Sequence, residues 1–68
     1  MLNLKTARDH AGFTQEKLAE LAGVSPRTII RIEVDHDYSP NMATVWALAD
    51  ALGVSVAELL GYDPKVAA

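Results

Sequence analysis

The chain contains no cysteine, which excludes a disulfide staple and a thiolate zinc site and fits a cytoplasmic location. It also lacks any apolar run near the roughly 18 residues that cross a bilayer, although 50% of its residues are apolar. No membrane partner is expected. Met1-Leu2-Asn3-Leu4-Lys5 has no long apolar stretch behind a basic region, so no signal peptide is read there. Positive charge is scarce: six basic residues against nine acidic ones give a net charge of −3. That is the wrong sign for tight, non-specific binding to a polyanion. Apolar and polar residues nowhere alternate convincingly, so no strand is predicted. There is no glycine-rich phosphate cradle, and Ser25, Ser39 and Ser55 have capping or turn duties. The expectation is a protein that is not an enzyme and carries no cofactor. His36 lies between Asp35 and Asp37, but adjacent loop residues rarely converge on one ion, and His10 belongs to a different segment. No metal site is expected.

What the chain does have is helical signal with clear punctuation. Its 68 residues make one domain, near the length at which a single core is only marginally stabilising. Asn3 is a candidate cap for a first helix from Leu4 to Ala11, ended by Gly12. Thr14 caps a second, Gln15 to Ala22, with Leu18, Leu21 and Ala22 at helical spacing and Gly23 at its end. Ser25 caps a third that runs from Pro26 to about Glu33, with proline at the first position, where a missing N–H costs nothing. Val34 to Ser39 has no helical pattern. Asn41 caps a fourth helix with apolar residues at Met42, Val45, Trp46, Leu48, Ala49 and Leu52, and Gly53 ends it. Ser55 opens a fifth with Glu58 three residues on, a capping box; Leu59 and Leu60 pack inward and Gly61 stops the run. Helices this short are unstable alone. The predicted fold is therefore all-α, five helices around one core of Leu4, Ala7, Leu18, Ala19, Ala22, Val24, Ile29, Ile32, Val45, Leu48, Ala49, Leu52, Val56 and Leu59. Trp46 is expected in the core or at its edge. Residues 1–62 are read as the domain and 63–68 as a flexible C-terminal tail.

The segment from Phe13 to Glu33 reads as two helices joined by a sharp turn, a helix-turn-helix pair, which places its second helix in the major groove of DNA. Arg27 and Arg31 stand one turn apart on that helix. Arginine makes a bidentate bond to guanine O6 and N7, and Arg27 is assigned to a base. Arg31 is left between base and phosphate, and the plainer alternative for both is surface pairing with Glu20 or Asp35. Gln15 and Thr28 are read as positioning contacts and Lys17 as a phosphate contact. Lys5, Arg8, Lys17, Arg27 and Arg31 fall in the first half of the chain, while Asp35, Asp37, Asp50, Glu58 and Asp63 crowd the second. A basic face on an acidic body still binds DNA, but weakly as a monomer.

Arg8, Gly12-Phe13-Thr14-Gln15, Leu18-Ala19, Gly23-Val24-Ser25, Ile29, Ile32-Glu33, Pro40 and Ala51-Leu52-Gly53-Val54-Ser55 occur in an order and spacing that resembles the Cro/C1-type helix-turn-helix family. This is the family of phage repressors and xenobiotic-response-element-like bacterial regulators. The resemblance spans about residues 4 to 61. It implies a lambda-repressor-like domain that binds double-stranded DNA at a short inverted repeat, as a transcriptional repressor of phage or toxin–antitoxin type. It puts Gln15 at the DNA backbone, Pro26, Arg27, Thr28 and Arg31 on the outward face of the recognition helix, and Arg8 with Glu33 in an ion pair. It also implies dimerisation through the last helix and the segment before it, about Val54 to Tyr62; Val54, Leu60 and Tyr62 are read as the interface of a weak homodimer, and the plainer alternative is that they complete the core. Two features depart from the family pattern: the acidic loop Val34-Asp35-His36-Asp37-Tyr38, and Pro26 where many relatives carry a base-reading side chain. The alternative is a protein-interaction module of the same fold, meeting a partner protein with the acidic loop and a Trp46, Met42 and Tyr38 surface.

Overall fold

The computed structural model describes residues 3–35 and 37–61. Among these are five helices and no strand: α1 Leu4–Ala11, α2 Gln15–Ala22, α3 Pro26–Val34, α4 Met42–Leu52 and α5 Val56–Leu59. No helix among the described residues is long and apolar enough to cross a membrane. α2 packs against both α3 and α4, α1 touches α3 and α4, and α5 closes on α4. Every large side chain with almost no exposure comes from a different helix: Leu4, Leu18, Ile29, Leu48 and Leu59. This explains how helices of four to eleven residues persist, since each contributes one anchor to a core that none could form alone.

Four of the five expected caps are formed. Thr14, Ser25, Asn41 and Ser55 each accept a hydrogen bond from the backbone N–H three residues on, and Ser55 and Glu58 complete the capping box. Asn3 differs. Its backbone at φ −85°, ψ 44° is not extended and its side chain makes no cap bond, because its N–H donates to the Leu59 carbonyl at 2.8 Å. That bond ties the start of α1 to α5, and leaves the Asn3 side chain beside Gly61.

The core is smaller than the sequence suggests. Leu4, Leu18, Ala19, Ile29, Ile32, Val45, Leu48, Ala49 and Leu59 are buried. Ala7, Ala22, Val24, Leu52 and Val56 are only half-buried, packed against the edge of that cluster. Trp46 is neither core nor core edge: it is 63% exposed, and Met42, one turn before it, is 55% exposed. Val45, Leu48 and Ala49 take the inward face of α4 and leave no room there for an indole. Leu60 is half-buried, rather than packed inward like Leu59.

Candidate nucleic-acid interface

The turn between α2 and α3 follows from three residues. Gly23 adopts φ 72°, the left-handed conformation that L side chains resist. Its N–H reaches the Glu20 carbonyl at 3.3 Å, and the Val24 N–H reaches the Ala19 carbonyl at 3.0 Å, which satisfies the last carbonyls of α2 as the chain reverses. Ser25 then starts α3: its Oγ accepts from the Thr28 N–H at 3.3 Å and lies 3.1 Å from Thr28 Oγ1. The first turn of α3 is therefore fixed from its own sequence, and Ile29 and Ile32 pin the inner side.

The outer side of α3 presents Pro26, Arg27 and Arg31, all exposed, and half-buried Thr28, whose hydroxyl is shared with the Ser25 cap. Arg27, Thr28, Ile30, Arg31, Val34, Asp35 and Tyr38 line one open groove. Met42 and Trp46 are not among the residues that line it. Arg31 is partly engaged: its Nε lies 3.8 Å from Asp35 Oδ2, and its Cζ lies 4.3 Å from the centre of the Tyr38 ring. Helix α3 runs one residue further than expected, through Val34, and the chain then turns back. Asp37 N–H donates to Asp35 Oδ1 at 3.0 Å and Tyr38 N–H donates to the Asp35 carbonyl at 3.1 Å, a side-chain-closed turn of the kind aspartate favours. His36 lies outside the described residues.

Behind this face sits a polar cluster that joins three helices. Arg8 Nε donates to Glu33 Oε2 at 2.7 Å and Nη2 donates to Oε1 at 3.2 Å, a two-pronged contact. Arg8 Nη1 donates to the Phe13 carbonyl at 2.8 Å. Gln15 Nε2 also donates to Glu33 Oε1, at 3.0 Å. The Arg8 and Glu33 side chains are 12% and 4% exposed. Burial pushes the Glu33 carboxyl up. The hydrogen bonds from Arg8 and Gln15, with the charges of Arg8 and Lys5, outweigh it and hold the carboxyl below its ordinary range. The bond to Glu33 raises the Arg8 guanidinium above its own, against an opposing effect of burial. Gln15 is thus half-buried at the head of α2, braced on the end of α3; no short-range pattern links positions so far apart. Lys17 is exposed on α2. Val54 packs against the core, Leu60 is half-buried, and Tyr62 lies outside the described residues.

Several known proteins are similar to this chain. The chain is 38% identical over 63 residues to the immunity repressor protein of Bacillus phage phi105, an alignment covering 93% of this chain and 43% of the phage protein. The chain therefore spans less than half the length of that relative. It is 42% identical over 50 residues to an uncharacterised HTH-type transcriptional regulator of Methanothermobacter thermautotrophicus, covering 74% of this chain and 71% of the other. Among solved structures, a hypothetical transcription factor from Neisseria superposes with a TM-score of 0.79 at 26% identity, over 96% of this chain and 71% of that one. The family pattern described as helix-turn-helix matches residues 4–59, from the first turn of α1 to the end of α5, and the chain belongs to the helix-turn-helix family.

Proposed function

We propose that the chain is a sequence-specific binder of double-stranded DNA that acts in the cytoplasm as a transcriptional repressor, of phage or toxin–antitoxin type. One observation carries the reading: in a molecule of net charge −3, α3 turns Arg27 and Arg31 to solvent on one face while Ile29 and Ile32 hold its other face in the core. Arg27 reads a guanine edge, a contact worth roughly 1–3 kcal/mol of discrimination. Lys17 meets a phosphate. Gln15, braced by Glu33, and Thr28, shared with its cap, set the register of α3 on the duplex without specifying sequence. Pro26 packs against a thymine methyl. The names of the phage and archaeal relatives support the regulatory part of the reading.

One short recognition helix on an acidic body binds weakly. Two copies address half-sites about 34–36 Å apart and gain the effective concentration of a linked second contact. Val54, Leu60 and Tyr62 form the proposed contact between copies. Selection from a pool of randomised duplexes at low salt tests the function: enrichment of a short inverted repeat is expected, and failure to enrich any sequence rejects it. A second reading is favoured by the exposure of Trp46 and Met42 one turn apart on α4, because tryptophan is enriched among the anchors of protein interfaces. It makes the domain a protein-interaction module, and a Trp46→Ala variant that binds the selected duplex unchanged but loses its partner protein would separate the two.

A further inference from the structure

Arg31 differs from Arg27 in what surrounds it. Among the described residues Arg27 has no ion-pair partner, whereas Arg31 is held on two sides by its own chain. Its Cζ lies over the Tyr38 ring, 4.3 Å from the ring centre. Asp35 Oδ2 stands 3.8 Å from its Nε. The guanidinium carries five N–H donors, a π face accepts no conventional hydrogen bond from them, and the one nearby carboxylate stands at Nε. The Nη edge is left for a ligand. Asp35 also closes the turn that carries Tyr38, through Oδ1 and its carbonyl, so one residue fixes both restraints.

We infer that Arg31 reads a guanine base rather than a phosphate, and that Tyr38 and Asp35 are positioning residues that set which base pair it reads. The inference rests on the DNA-binding reading above. Charge decides between the two contacts. A carboxylate beside the guanidinium cancels much of its attraction for a phosphate and itself repels the polyanion. A guanine edge is neutral and offers two acceptors, O6 and N7, to a planar fork, so it tolerates the neighbouring carboxylate. Ile30 and Val34 line the same groove, and their exposed apolar surface suits a base edge better than a phosphate. Restraint of a long side chain before binding lowers the ordering cost of the contact and narrows the geometries that satisfy it.

The test uses the duplex selected by the wild-type chain and its single base-pair variants, titrated with wild type, Arg31→Ala, Tyr38→Leu, Tyr38→Phe and Asp35→Asn. Circular dichroism on each variant checks that it is folded. Arg31→Ala is expected to erase the preference for guanine at one base pair and to keep the salt slope. Tyr38→Leu lowers the preference at that same pair roughly threefold to tenfold and leaves the other positions within about twofold. Tyr38→Phe keeps the ring and behaves as wild type. Asp35→Asn strengthens binding to every duplex and weakens the preference at the Arg31 pair. The double variant Arg31→Ala/Tyr38→Leu discriminates no worse than Arg31→Ala. If Arg31→Ala weakens all duplexes equally and flattens the salt slope by about one, Arg31 is a phosphate contact and the inference is wrong. A Tyr38→Leu variant with full preference overturns the positioning role. A wild-type chain that enriches no duplex overturns the DNA reading itself, before any variant is made.

Discussion

Glu33 sits where three helices meet: it accepts two bonds from Arg8 of α1 and one from Gln15 of α2 at the end of α3. The end of α3 is tied here to α1 and α2 by charged and polar hydrogen bonds, in addition to the packing of Ile29 and Ile32 in the core. Removing one partner leaves the other buried charge uncompensated, so Arg8→Ala and Glu33→Ala should each destabilise the domain by roughly 2–4 kcal/mol in urea unfolding. The double variant should cost clearly less than the sum; additive losses would mean that the pair is not coupled. The lowered carboxyl pKa gives a pH signature. Its stabilising contribution is complete above the unfolded value of about 4.3 and is lost as pH falls through the lower folded value. Wild type should therefore lose more thermal stability between pH 6 and pH 3 than Glu33→Gln does, and parallel curves would contradict this. Arg8 and Glu33 were legible as a pair only through family resemblance, since 25 positions separate them. The third partner, Gln15, was not legible as such: the sequence suggested a DNA contact there, and only the folded arrangement of α2 on α3 shows the side chain turned to Glu33.

At the scale of the element, the helices were readable because their limits are set locally. Serine, threonine and asparagine caps and glycine stops act within three or four residues, and the ends of α1, α2 and α4 fall where those signals put them. Asn3 is the instructive exception. A long-range bond to Leu59 took its backbone out of the capping geometry, and no local rule foresees that. Trp46 failed for a different reason: α4 carries apolar residues around most of its circumference, so periodicity leaves its inward direction ambiguous. Tyr38 over Arg31 depends on the turn begun by Asp35, which the sequence suggested only as polar loop. The turn between α2 and α3 offers a clean test of backbone strain. A Cβ built at Gly23 meets nothing within 4 Å, so Gly23→Ala should lose only the conformational preference, about 1–2 kcal/mol. Ser25→Ala should cost about 1 kcal/mol. A Gly23→Ala variant as stable as wild type would show that the turn relaxes without cost.

For the whole molecule, the balance is between an acidic total and a basic face. Net charge −3 disfavours association with a polyanion at long range, so on the proposed reading specific contacts on α3 and a second copy supply what non-specific attraction does not. Sedimentation should accordingly show mostly monomer in dilute solution and two copies on an inverted-repeat duplex; a strictly 1:1 complex on that duplex would contradict the dimer. On the proposed reading the outer face of α3 is the surface that meets DNA. Titration of the isotope-labelled chain with the selected duplex, read by amide chemical shifts, locates that surface. The largest shifts are expected at residues 15–17 and 25–31, with α4 from Met42 to Trp46 nearly unmoved. Shifts centred on Met42 and Trp46, with the amides of Arg27 to Arg31 unchanged, would show that α3 is not the DNA-binding face.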